Sequence, residues 1–421
     1  MTIKRSPDDF RVEEVLSDPL ARSIRPDSGP FALYLLEKSS LATPDAVAAF
    51  ARQLAVPVAA VTYAGLKDKH ALTIQHVAVD CARLRPSAEL PAALSGKGWS
   101  ASRLGWIDSP LDSSAIARNR FRITLRDLSP DASTRMESRA RLLSAHATPS
   151  PAHLVTCSPV PPPEAALLVV NYFGDQRFGS SRHLQGFPAA LLLKGDYEGA
   201  LRLAIATEAR KDDRRRKERT RLIVESWGRW SQLASRLPRG CPERPPVEAL
   251  ARGGDFRAAF VALPYFFQRM AVQAYQSFLW NEIARDLVET ACGGPRAMLT
   301  YDGRFGKMSF PHAANVPSDL VDLDLPVLGY KSELKAPWNA AAERVLTREG
   351  LTGTDALRIR GVRRPFFGEA PRNLFVSAER FDLSATQPDA SAPESLRLLR
   401  QLSFDLPRGA YATTLLRALG Q

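Results

Sequence analysis

Apolar and polar residues alternate through FRITLRD: Phe121, Ile123 and Leu125 fall on one side, Arg122, Thr124 and Arg126 on the other. That period of two predicts a strand with a basic outer face. Near the far end, Leu396, Leu398, Leu402, Phe404 and Leu406 again occupy alternate positions, before the turn Pro407-Arg408-Gly409 and a short helix over Tyr411 to Leu419. A β-branched run from Val58 to Thr62 and a strand-like run from Ile74 to Val79 enclose Ala64-Gly65 and the charged cluster Lys67-Asp68-Lys69-His70. The pattern there is strand, loop, strand. In the middle the period changes: after Pro264, Val272, Tyr275, Leu279, Ile283 and Leu287 recur at spacings of three and four, one apolar helix face. Residues 210–221, with eight basic and three acidic positions, read as a helix whose solvated face carries internal i,i+4 pairs, ahead of an RNA contact. Six prolines between 149 and 163 resist regular structure and mark a connection between units. Shorter breaks fall at 236–246 and around Gln387 to Pro393. The elements add up to an α+β unit split by a helix-rich insertion.

Composition narrows the class. At 421 residues, 45% hydrophobic and 24% charged, the chain can bury a sizeable core and is not disordered throughout. No apolar run approaches the ~18 residues of a membrane span, and the N-terminus turns acidic by Asp8, unlike a secretory signal. Cysteines at 81, 157, 241 and 292 form no CxxC pair, which argues against a zinc site or a disulfide framework and fits a cytoplasmic protein. The net charge is +12, and 46 of the 57 basic residues are Arg. Planar guanidinium groups grip phosphates, so a polyanionic partner is one reading; a GC-rich genome is the other.

Familiar chemistries drop out by spacing. The six histidines show no HExxH, no G-x-S-x-G elbow is present, and GRFGKMS at 303–309 has two residues between its glycines where a phosphate loop needs four. Nothing calls for a metal or nucleotide cofactor. What remains is Asp68 at the tip of its loop between two lysines, whose charge favours an ionised carboxylate fit to act as base or nucleophile. Alone, a KDK cluster is more often a solvated turn.

The segment YAGLKDKHALTIQ, residues 63–75, resembles the signature of the TruD family of pseudouridine synthases. Further segments are similar to that family's in the same order: KRSPDDFRVEE at 4–14, RNRFRITLRD at 118–127, NYFGDQRFG at 171–179, AVQAYQSFLWNEI at 271–283 and LPRGAYATTLLRAL at 406–419. The resemblance implies an α+β fold. Its discontinuous pseudouridine synthase catalytic domain, with a mixed or antiparallel sheet, would cover 1–170 and 363–421. An inserted helix-rich TRUD domain would cover 171–362.

The resemblance also implies roles. Asp68 would be the catalytic carboxylate and Lys4 its ion-pairing cation. Phe10 and Phe121 would sandwich a flipped uracil, although Phe121 shares its face with Ile123 and Leu125 and a core role competes. Asn119, on that same face, would read the uracil edge. Tyr411 would stack where bacterial relatives carry Phe. Lys67, Lys69 and Arg408 would contact phosphates. In NYFGDQRFG, Gly174 and Gly179 suggest tight turns and a structural role. The implied reaction is cofactor-free isomerisation of uridine, with uridine 13 of tRNA as the target that bacterial members imply. Two alternatives differ in class: a non-catalytic RNA-binding or RNA-folding protein, and a glycoside hydrolase using Glu13 or Glu14 as a second carboxylate.

Overall fold

The structure is a computed structural model that describes Ile3 and residues 5–85, 90–144, 165–181, 185–209, 212–390 and 397–421. Lys4, the proline run 149–163, Cys157, Arg210, Lys211 and Leu396 lie outside the described residues. The chain divides into two compact units, Met1–Val169 with Val376–Gln421, and Val170–Phe375.

In chain order the strands are β1 (Phe10–Leu16), β2 (Phe31–Ser39), β3 (Val61–Tyr63), β4 (Leu72–Asp80), β5 (Ala93–Gly96), β6 (Trp99–Ile107), β7 (Ile116–Leu128), β8 (Ala165–Val170), β9 (Met298–Gly303), β10 (Gly306–Pro311), β11 (Phe375–Leu383), β12 (Gln387–Pro388) and β13 (Leu398–Pro407). Eleven of them form one sheet with the path β5-β6-β2-β4-β1-β7-β13-β11-β8, with β3 added to β4 and β12 to β13. The sheet is mixed: β1 runs parallel to β4, whereas β1–β7, β7–β13, β2–β4 and β2–β6 are antiparallel. The last strand in sequence therefore lies inside the sheet, between β7 and β11.

Both faces of β4 are covered, so its residues from Thr73 to Val79 are buried without alternation. On one side Val77 and Val79 join Tyr34, Leu36 and Trp99 against the helix Thr43–Gln53. That helix starts with Pro44 in its first turn and turns Ala46, Val47, Phe50 and Ala51 inward. On the other side Ala78 joins Leu33, Ile107 and Leu111. The predicted strand through FRITLRD is the middle of β7, with Phe121, Ile123 and Leu125 buried and Arg122 exposed. The C-terminal alternation is β13, and the short helix spans Ala412–Ala418.

In the second unit the helix Tyr265–Ala291 buries the expected face, Val272, Tyr275, Leu279, Ile283 and Leu287. It also buries Ala274, Gln276, Ser277, Asn281 and Glu282, so it is enclosed on several sides rather than one. Two of its buried amides bridge to neighbouring backbone. Gln276 Nε2 donates to the carbonyls of Leu328 (2.8 Å) and Gly368 (2.9 Å), and Asn281 bonds both the N–H and the C=O of Phe173. GRFGKMS forms a hairpin, with β9 and β10 joined by Arg304-Phe305. The basic helix spans Arg214–Glu225, capped by Asp213, and four of its five arginines pair with carboxylates: Arg214 with Glu218, Arg216 with Asp212, Arg219 with Glu243 and Arg221 with Glu208.

Candidate active site

The loop between β3 and β4 is tied down through two backbone groups, the Lys67 N–H and the Asp68 C=O. The Lys67 backbone N–H donates to Thr43 Oγ1 (3.0 Å), and the Thr43 hydroxyl donates to Gln75 Oε1 (2.9 Å). Lys38 Nζ, from the end of β2, donates to the Asp68 carbonyl (3.0 Å). The Asp68 carboxylate accepts the His70 N–H (2.8 Å), which fixes its own turn. Asp68 itself is exposed. A solvent-accessible carboxylate thus sits on an immobilised backbone.

Beneath it lies a buried charge pair. Glu14, whose side chain is 0% exposed, faces Asn119 across the β1–β7 ladder, and Lys67 reaches between them. The Lys67 ammonium is 2.7 Å from Glu14 Oε1 and donates to Asn119 Oδ1 at 2.8 Å. Glu14 Oε2 accepts the His76 backbone N–H (2.8 Å). Burial pushes the Glu14 carboxyl up, but the His76 hydrogen bonds and the Lys67 charge together outweigh it and hold the carboxyl below the usual range. Burial pulls Lys38 down to about 8; attraction by Asp68 opposes the shift and repulsion by Lys67 adds to it.

These contacts revise several expectations. Lys67 is not placed as a phosphate ligand: its ammonium is committed inward to Glu14 and Asn119. Because the ammonium has only donors, it fixes the Asn119 amide with Oδ1 inward, leaving Nδ2 as the group able to donate elsewhere. The Phe10 and Phe121 rings do not form a sandwich. They meet edge to face at 6.2 Å between centroids, and Phe404 stacks on Phe121 at 5.3 Å, so both rings belong to the core. Phe121 and Asn119 do share one face of β7, opposite Phe404 and Leu406 of β13. Arg408 follows directly in the turn at Gly409 (φ +83°) and donates to the Ser113 carbonyl. Tyr411 is half-buried at the start of the helix Ala412–Ala418, and Lys69 is exposed. Asp68, Lys67 and Asn119 are therefore brought together, while the position of Lys4 lies outside the described residues.

In NYFGDQRFG a tight turn starts at Gly174, whose C=O accepts the Arg177 N–H at 2.9 Å, whereas a Cβ at Gly179 would meet open space. Further structural work falls to the motif's other residues. Asn171 Nδ2 donates to the Asn373 carbonyl, Tyr172 Oη to the Ser309 carbonyl, and Arg177 Nε to Ser277 Oγ.

Sequence reasoning passed over Lys38, and took Glu14 only as a rival acid. Both carried a signal: each occupies the inward parity of its strand, after Phe10-Val12 and after Tyr34-Leu36. A charge on a buried face requires a partner. A groove of about 590 Å³ in the second unit, lined by Asp196, Glu198, Asp255 and Arg257 among others, contains none of the site residues.

Comparison with known proteins places the whole chain. A sequence profile of the family tRNA pseudouridine synthase D (TruD) matches residues 1–419. The chain is 30% identical over 434 residues to tRNA pseudouridine synthase D of Aquifex aeolicus, covering 99% of this chain and 97% of that one. It is 28% identical over 429 residues to the protein of the same name from Geobacter metallireducens, covering 99% and 94%. The crystal structure of a Methanosarcina mazei protein described as tRNA pseudouridine synthase D (TruD) superposes with a TM-score of 0.67 at 21% identity, covering 99% of this chain and 92% of that one.

Proposed function

Because the chain belongs to the TruD family, we propose that it isomerises a uridine of tRNA, uridine 13, to pseudouridine, with Asp68 as the catalytic carboxylate and no cofactor. The observation that carries the reading is the Asp68 loop: its backbone is held by Lys38 and Thr43 while its carboxylate stays open to solvent. An immobilised, accessible carboxylate is what attack at a fixed sugar carbon demands.

In the reaction the N1–C1′ bond breaks, the uracil turns, and C5 bonds to C1′. C5 loses a proton and N1 gains one, so the balance closes without redox chemistry or energy input. Asp68 either attacks C1′ or removes the C2′ proton. Lys4 is assigned to hold Asp68 ionised. The Asn119 Nδ2 group, aimed by Lys67, suits a uracil carbonyl, and the Tyr411 ring suits the base face. Lys69 and Arg408 are the assigned phosphate contacts. The target nucleotide must be unstacked for its sugar to be reached. Under this reading the unit Met1–Val169 with Val376–Gln421 acts as the catalytic domain and Val170–Phe375 as the inserted one, so the second boundary falls at 375 rather than at the expected 362.

The glycoside hydrolase alternative loses its second carboxylate. Glu14 is buried and bound to Lys67, and Glu13 points to the opposite face of β1. The test is tritium release from tRNA labelled at uridine C5, with wild type beside Asp68→Asn. Release by wild type alone, mapped to position 13, supports the proposal. Retained release by Asp68→Asn removes Asp68 from its role. Tight tRNA binding with no release from wild type leaves an RNA-binding protein that keeps the fold.

A further inference from the structure

Two arginine-rich stretches lie in the second unit, and the structure separates them. Along the helix Arg214–Glu225, Arg214, Arg216, Arg219 and Arg221 are each paired with a carboxylate. The second stretch, RIRGVRRPFF at 358–367, contains no acidic residue. Leu357, Ile359, Pro365 and Phe367 are buried and pin it to the unit, while Arg358, Arg360, Arg363, Arg364 and Phe366 are exposed. Among the described residues, none of these four arginines has an ion-pair partner. Arg360 shares a groove with Asp196, Glu198 and Asp255, but Arg358, Arg363 and Arg364 lie outside its lining and make a basic patch whose field attracts a polyanion.

The stretch also carries ring surface. Phe366 is 54% exposed and stands edge-on to Tyr330, with centroids 6.4 Å apart and planes at 87°. Lys331 Nζ and Arg358 Cζ lie 5.6 and 5.8 Å from the Tyr330 ring centre. Tyr330 is fixed in place: its N–H donates to the Phe367 carbonyl at 3.1 Å, and Val327 bridges Ala370. Guanidinium forks suit phosphate oxygens, and an exposed ring suits a base face, the two groups that alternate along an unpaired RNA strand.

We infer that residues 358–366, with Tyr330 and Lys331, form an RNA-docking surface that engages phosphates through Arg363 and Arg364 and stacks an unpaired base on Phe366. The inference rests on RNA being the substrate, and adds where the second unit holds it. In this assignment the surface captures the RNA and touches no reacting atom, so its loss acts on RNA affinity rather than on the rate of isomerisation.

The test measures binding of a tRNA transcript by the full chain against salt, for wild type, Arg363→Gln/Arg364→Gln, Arg363→Lys/Arg364→Lys and Phe366→Ala. Each phosphate contact contributes about 0.7–0.9 to the slope of log affinity on log salt, so the Gln pair should flatten it by roughly 1.5. The Lys pair should restore most of that slope. Phe366→Ala should weaken binding about tenfold while leaving the slope unchanged. An Arg214→Gln/Arg221→Gln control, on the neutralised helix, should leave the slope nearly as in wild type. Single-turnover tritium release at saturating protein should keep its wild-type rate in the 363/364 and 366 variants, with the half-saturating concentration raised.

An unchanged slope in the Gln pair, or an equal effect in the helix control, overturns the inference. So does binding of anionic phosphatidylserine vesicles that depends on these arginines while tRNA binding does not. The two proposals fail separately: loss of the slope effect with intact tritium release defeats only the docking surface, and an intact slope effect without release defeats only the assigned reaction. All the substituted side chains are exposed, and a thermal unfolding curve matching wild type confirms each variant is folded.

Discussion

Replacing Glu14 by Gln keeps the shape of a buried side chain and deletes its charge. At 2.7 Å the Glu14–Lys67 attraction is worth about 6 kcal/mol at an effective dielectric of ~20, before desolvation of both ions is subtracted. The subtraction leaves the intact pair with a modest net benefit. Removing the charge is different, because the Lys67 ammonium then stays largely enclosed, its side chain 13% exposed, with only neutral amide oxygens around it, and the one oxygen of the substituted amide cannot serve both Lys67 and the His76 N–H. Breaking a buried pair in this way costs about 3–5 kcal/mol. Lys67→Met should cost a similar amount by stranding Glu14, and the double variant should cost less than the two singles together by about 2 kcal/mol or more. Urea unfolding at pH 7, with hydrogen exchange followed over residues 10–16 and 72–80, measures all three; the His76 amide that donates to Glu14 reports directly. Acid supplies a second check. The Glu14 carboxyl is held below its ordinary value of 4.5, so its stabilising contribution is complete above that pH and is lost as pH falls through the lowered value. The wild-type advantage over Glu14→Gln should therefore shrink below about pH 4.5. Additive single and double effects, with coupling under ~0.5 kcal/mol, would refute the pairing as the organising contact of the site.

Three further outcomes follow from the geometry. Phe121→Ala, which empties a core position between Phe10 and Phe404, should destabilise by about 3–5 kcal/mol; an unchanged melting temperature would return Phe121 to a purely ligand-facing role. Lys38 titrates near 8 when folded and 10.5 when unfolded, so between those values the unfolded chain binds more protons and stability rises with pH. Relative to Lys38→Met, wild type should gain stability from pH 7 to 10, and a flat or falling difference in calorimetry contradicts the buried ammonium. Asp68→Asn should melt close to wild type and bind tRNA while losing turnover, since its side chain is exposed and the amide can still accept the His70 N–H.

What was legible in the sequence divides by the range of the interactions involved. Phe121, Ile123 and Leu125 announced β7 because strand alternation is local, and the spacing from Val272 to Leu287 announced a helix for the same reason. The enclosure of that helix on further sides was not legible, since Gln276 and Asn281 are satisfied by carbonyls and N–H groups 52 and 108 positions away. The same limit hid the Lys67–Glu14 pair and inverted the reading of Lys67. The i,i+4 pairing expected of residues 210–221 is present, Arg214 with Glu218 and Arg216 with Asp212, whereas Glu208 and Glu243, which reach Arg221 and Arg219 from outside the stretch, could not be read from it.

The position of β13 between β7 and β11 has a consequence for biosynthesis. The β7 edge emerges from the ribosome by Leu128, and its partner begins at Leu398, 270 positions later. At about 5–20 residues per second that edge waits tens of seconds unpaired, with Phe121, Ile123 and Leu125 on its apolar face. An unpaired apolar edge recruits other strands, including those of neighbouring nascent chains. Slowing translation across the insertion should therefore raise the share of aggregated product, and the half-made sheet is where a co-translational chaperone would find its binding site.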